Sequence, residues 1–207
     1  MKLIGFYNYT VILTYLSLAS SLIGIKLASD GRLGLAVLCL AISGFCDMFD
    51  GVVARTKKDR TDDEKNFGIQ LDSLCDVVCF GVFPAIYFYY SGVKSTLGLV
   101  ILGFYVLCAV IRLAFFNVLE ANRQKSEGGC AKEYRGLPVT SAAIIFPFFY
   151  LIGGLIPDAA MNVINHILPF IVAALFITDF RFPKLDIGKL LSRRKNDADD
   201  EVCTEDK

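Results

Sequence analysis

Asp47-Met48-Phe49-Asp50-Gly51-Val52-Val53-Ala54-Arg55, followed after a spacer by Gly68-Ile69-Gln70-Leu71-Asp72-Ser73-Leu74-Cys75-Asp76, decides both the fold and the chemistry of this chain. Two aspartates three residues apart close one apolar stretch, and two more, four apart, open the next. Those spacings put each pair on one face of a helix. Charge inside a membrane helix is costly, so four groups of one sign need a counter-charge. Bound metal is the simplest source. Ligands that are all oxygen favour hard ions (Mg2+, Mn2+ or Ca2+) over zinc.

The surroundings are those of a bilayer protein. The 207 residues are 55% hydrophobic with a mean hydropathy of +0.53. Several apolar runs reach the roughly 20 residues that cross a membrane. Backbone polar groups in lipid must be paired within the segment, so the runs read as helices. The expectation is an all-α integral membrane protein with six transmembrane helices, at 9–28, 33–54, 69–90, 96–119, 138–156 and 159–179. Residues 1–191 then form one catalytic domain. The charged tail 192–207, with Arg193, Arg194 and Lys195 followed by Asp197, Asp199, Asp200 and Glu201, is expected to be disordered. No internal repeat is evident.

Net charge is zero, but most of the 21 Lys and Arg lie at Lys2, in 55–65, in 120–136 and from Arg181 onward. The opposite loops carry only Lys26, Arg32 and Lys94. The positive-inside rule puts both termini and the two basic loops in the cytoplasm, with the aspartates at the cytoplasmic ends of spans two and three. The apolar run from Tyr9 reads as a first span and not as a cleavable leader. The partner implied is the lipid bilayer; no nucleic acid is expected. Seven cysteines are scattered without ligand spacing. Cys75 and Cys79, four apart, fit small core residues better than a metal pair.

Read as a helical hairpin, 47–76 brings Asp47 and Asp50 opposite Asp72 and Asp76. Four carboxylates at close range repel one another unless cations lie between them. Gly51, Ala54 and Gly68 leave room for a ligand to approach the backbone. Arg55 offers a planar fork suited to phosphate, although an arginine there can also snorkel to head groups. A single aspartate at a helix end is ordinarily a solvated boundary residue; four at these spacings are not. Together they describe a site for a phosphate-bearing ligand with a lipid tail.

These positions resemble the signature of the CDP-alcohol phosphotransferases: Asp47, Asp50, Gly51, Ala54, Arg55, Gly68, Asp72 and Asp76 each stand where that pattern fixes a residue. One departure is the spacer of twelve residues, 56–67, which is longer than the family's usual one. The resemblance implies six transmembrane helices and a homodimer. It implies two divalent cations, Mg2+ or Mn2+, held by Asp47, Asp50, Asp72 and Asp76. It assigns the CDP-lipid to Asp47, Gly51, Ala54, Arg55, Gly68 and Asp72, with the small residues lining a cytidine pocket, and makes Asp76 the general base.

Four further segments are similar to the phosphatidylserine synthase branch: Phe80-Gly81-Val82-Phe83-Pro84-Ala85, Arg112-Leu113-Ala114-Phe115-Phe116-Asn117, Tyr134-Arg135-Gly136-Leu137-Pro138-Val139-Thr140 and Phe182-Pro183-Lys184. The implied reaction passes a phosphatidyl group from CDP-diacylglycerol to L-serine. Arg112, an intramembrane arginine, is the first candidate to hold the serine carboxylate, with Asn117 and Arg135 beside it. Arg112 can instead pair with a site aspartate, Arg135 can anchor the loop to the membrane face, and Asn117 can cap a helix. Asn8 and Thr14 in the first span are weaker candidates. His166 and the Gly-Gly pairs at 128–129 and 153–154 suggest no catalysis. Acceptors such as glycerol phosphate or inositol phosphate, and an archaeal lipid donor, remain open. So do a divalent-cation transporter and a CDP-lipid scaffold. The expected location is a prokaryotic plasma membrane with the site facing the cytoplasm.

Overall fold

The computed structural model describes residues 5–57, 59–125, 133–179 and 181–183; the expected disordered tail, 192–207, lies outside them. The described chain is helical apart from one short strand pair. Its helices are α1 (Ile12–Ser29), α2 (Leu33–Thr56), α3 (Asp62–Asp76), α4 (Phe83–Tyr90), α5 (Thr96–Lys125), α6 (Ala142–Gly153) and α7 (Asp158–Ile177). Two tight reversals have one cause. Gly31 (φ +77°) follows α1 and Gly92 (φ +115°) follows α4. At each, the glycine takes the left-handed conformation that closes a helix. Arg32 N donates to Leu27 O at 2.9 Å, and Val93 N to Phe88 O at 3.1 Å.

Five helical stretches are long and apolar enough to cross a membrane: Tyr9–Ser29, Leu33–Ala54, Asp62–Tyr90, Thr96–Asn122 and Ala159–Ile177. The sixth expected span, 138–156, corresponds to the shorter apolar stretch Val139–Gly153. The 12 residues of α6 rise only about 18 Å, well short of a hydrocarbon core of about 30 Å. The outward faces are apolar, with Leu22, Leu38, Val100, Ile144 and Leu151 all exposed, as lipid contact requires.

Small and polar side chains join the helices, because apolar burial gives little drive between helices already in lipid. Ser17, Ser20, Ser21, Gly24 and Ala28 make the buried stripe of α1. Ser17 and Ser21 reach Ser43 Oγ of α2 at 2.7 and 2.9 Å. A Cβ on Gly24 would sit 2.2 Å from Phe83, and one on Gly44 2.4 Å from the Ala143 methyl carbon. The core inside the bundle is aromatic: Phe80, Phe83, Tyr105, Phe146 and Phe176 are fully buried.

The third span starts earlier than expected. Thr61 caps α3, accepting from Glu64 N while the Glu64 carboxylate accepts from Thr61 N. The helix therefore begins at Asp62, and Gly68 lies inside it, not at its start. Past Asp76 the rod continues through a π-helical turn, Val77–Val82, into α4. Pro84 has no N–H for the carbonyl of Phe80 four residues back. Tyr105 of α5 supplies the donor instead, its hydroxyl 2.5 Å from Phe80 O. A strand pair joins the second basic loop to the segment after α7. β1 (Glu133–Arg135) runs antiparallel to β2 (Arg181–Pro183), Tyr134 opposite Phe182.

Candidate metal and phosphate centre

The acidic residues converge. Ligand oxygens of Asp47, Asp50 and Asp72 lie within 4.8 Å of one another, each side chain half-buried. Asp76 lies one turn deeper on its rod and is nearly buried, at 8% exposure. The carboxylates face each other in pairs across the hairpin, Asp47 with Asp76 and Asp50 with Asp72. Helix α1 is the wedge that sets this spacing: α2 and α3 both pack against it and touch each other little. Thr14 of α1 donates its hydroxyl to Asp50 Oδ2 at 3.1 Å, so this weaker candidate does reach the site. Asn8 caps the 3-10 turn Tyr9–Val11, accepting from Thr10 N at 3.1 Å.

The donor set fits a hard dication. Oδ1 of Asp72 is buried and meets no hydrogen-bond donor among the described residues. No described Lys or Arg forms an ion pair with any of the four aspartates; the ion pairs join Lys26 to Asp30, Lys57 to Glu64 and Lys65 to Asp62. An orphaned carboxylate oxygen among three convergent carboxylates calls for a cation bound through oxygen. Gly51 faces open space, with nothing within 4 Å of where a Cβ would stand. Gly68 and Ala54 lie one turn from the aspartates on their own helices, toward the 57–61 loop.

The acceptor candidates are placed differently. Asn117 accepts from Ser73 Oγ at 2.8 Å and so ties α5 to the residue beside Asp72. Arg112 is buried on α5, its guanidinium 4.0 Å from the Phe116 ring centroid. It pairs with no site aspartate, although that was one sequence reading; the charge acting on it is Asp179, just past α7. Its Nη1 stands 2.8 Å from a Cβ position at Gly136, whose φ of +66° and close neighbours suit glycine alone. The side chains of Arg55 and Arg135 lie outside those described.

Sequence reasoning missed Arg60, Ser73, Tyr105 and Asp179. Only Tyr105 had a signal, the orphan carbonyl that Pro84 creates. His166 sits on α7, its Nδ1 2.8 Å from Asn162 O.

Comparison with known proteins agrees with the geometry. The family model for CDP-alcohol phosphatidyltransferase matches residues 7–178. An archaetidylserine synthase of Methanothermobacter thermautotrophicus is 33% identical over 89% of this chain and 73% of its own length. A CDP-diacylglycerol–serine O-phosphatidyltransferase of Methanocaldococcus jannaschii is 32% identical over 88% and 76%. The protein with the same name in Saccharomyces cerevisiae is 41% identical over 56% and 42%.

Proposed function

Since this chain belongs to the CDP-alcohol phosphatidyltransferase family, we propose that it transfers the phosphatidyl group of CDP-diacylglycerol to the hydroxyl of L-serine, giving phosphatidylserine and CMP. With five apolar helices of spanning length, it is an integral membrane protein. The observation that carries the reading is the convergence of Asp47, Asp50 and Asp72, with the orphaned Asp72 oxygen, at the end of a lipid-facing hairpin. The names of the relatives support serine as the acceptor: they agree on serine and differ only in the lipid they imply.

In this reading Asp47, Asp50, Asp72 and Asp76 hold two divalent cations, Mg2+ or Mn2+. Bound there, the ions would neutralise charge on the diphosphate and on the departing CMP. Gly51, Ala54 and Gly68 line the nucleotide pocket, which is open at Gly51 and covered by Arg60 at Gly68, and Arg55 supports the phosphates. Asp76, the most enclosed of the four, takes the proton from the serine hydroxyl as the bond to the lipid-side phosphorus forms. Thr14 fixes the orientation of Asp50. Arg112, Asn117 and Arg135 bind the carboxylate and polar head of serine. The β1–β2 pair supports that assignment, because it holds the 133–136 segment beside the end of α7 and Gly136 against Arg112.

The topology that goes with this chemistry has six spans, Val139–Gly153 being the short one. Both termini and the site face the cytoplasm of a prokaryotic cell, and two copies form a homodimer. Purified protein given labelled CDP-diacylglycerol and a panel of alcohols tests the acceptor. CMP release that depends on serine is expected. Release driven by inositol phosphate or glycerol phosphate and not by serine would reject it. An archaetidyl donor used in preference to diacylglycerol would revise the lipid alone.

A further inference from the structure

The 56–67 spacer places one side chain beside Gly68, one helical turn before Asp72. Arg60 is half-buried, and its guanidinium lies over Gly68. A Cβ there would stand 2.6 Å from its Nη2. Nη2 donates to Glu64 O at 3.2 Å, and Nη1 makes a long bond, 3.4 Å, to Ala54 O. Its Nε is buried and meets no acceptor among the described residues. On either side of Arg60, Lys57 pairs with Glu64 at 3.0 Å, and Glu64 closes the Thr61 capping box. A guanidinium with five donors thus has donor capacity to spare.

What it would meet follows from the site's geometry. Ala54 is four residues beyond Asp50 on α2, and Gly68 four before Asp72 on α3. Both lie about 6 Å from the carboxylates along the helix axes. If the aspartates grip the diphosphate, the lipid tail leaves toward the bilayer and the nucleoside extends the other way, to the level of Arg60. Cytosine presents two adjacent acceptors, O2 and N3, and an arginine fork presents two parallel donors. Uracil carries a hydrogen on N3 and offers no such pair.

We propose that Arg60 is a binding residue for the nucleobase, selecting cytosine over uracil through paired hydrogen bonds from its guanidinium. The assignment rests on the CDP-lipid reading of the site and adds to it the residue that reads the base. The long bond to Ala54 O is given up when the nucleotide enters; the bond to Glu64 O keeps the fork aimed.

The test uses the full-length protein in lipid nanodiscs, comparing wild type with Arg60→Gln and Arg60→Lys. The readouts are KM for CDP-diacylglycerol, kcat, inhibition by CMP and by UMP, and the melting temperature. Wild type is expected to bind CMP more tightly than UMP. Both variants should raise KM about tenfold or more, change kcat about twofold at most, and weaken CMP inhibition while leaving UMP inhibition alone. Should Arg60→Gln fail to fold, Arg60→Lys still decides, since it keeps the charge and loses the fork. Retained discrimination in Arg60→Lys would assign the effect to charge and overturn base reading. Wild-type turnover with KM and the CMP-to-UMP ratio unchanged in the variants would sink the role of Arg60 and leave the function standing. A wild type that neither turns over nor binds CMP would remove both.

Discussion

Asp76 and Thr14 carry the sharpest consequences of single side chains. Asp76→Asn keeps the size and loses the proton acceptor. Turnover is expected to fall by about 10²–10⁴, with CMP binding retained. Unchanged turnover would remove Asp76 from the base role, and retained binding without turnover separates an enzyme from a scaffold. Thr14→Val deletes the donor to Asp50 Oδ2. The Mn2+ concentration giving half-maximal activity should rise about tenfold or more, as when a metal ligand loses its orienting partner; titration of activity with Mn2+ after chelation reads it directly. The aspartates were legible because spacings of three and four fix a helix face whatever the tertiary structure. Arg60 was not: nothing in local sequence tells a loop arginine to lie on a glycine eight residues later. Asn117 was read as a polar partner and is one, but its bond to Ser73 crosses between helices and could not be read from either segment.

At the scale of elements, the long rod Asp62–Tyr90 is the part whose internal break matters. Its π-helical turn begins next to Asp76, and Tyr105 satisfies the carbonyl that Pro84 leaves open. Tyr105→Phe would strand that carbonyl in a dry core at a cost of about 1–3 kcal/mol. A lower melting temperature is expected, together with a lower kcat because the turn aims Asp76. A melting temperature equal to wild type would mean that the Tyr105 bond does not hold the turn. Hydropathy located this rod, yet its start was missed: the Thr61 capping box draws the helix seven residues into a stretch whose charges read as a loop. The β1–β2 pair was missed for a different reason. Three-residue strands far apart in sequence leave no periodic signal, and only their encounter defines them.

For the whole molecule, the distribution of Lys and Arg predicts an orientation that can be measured. Asp59 in the basic loop and Lys94 in the turn after α4 are both exposed. Cysteines placed singly at these positions, in a chain freed of other reactive thiols, should react oppositely with an impermeant label on intact cells: position 94 at once, position 59 only after permeabilisation. The reverse pattern would put the site outside. Composition and hydropathy made the bundle legible as a whole, since lipid imposes helices of known length. The short α6 departs from that rule; it packs closely on α2 where Gly44 meets Ala143. The central claim is that the four aspartates of one hairpin hold paired dications against a CDP-linked lipid. Crystals of the protein grown with Mn2+ and CDP-diacylglycerol, measured at the manganese edge, test it directly. Two anomalous peaks bounded by Asp47, Asp50, Asp72 and Asp76, touching the diphosphate, are the result this account requires; a bound nucleotide with no manganese between those side chains would contradict it.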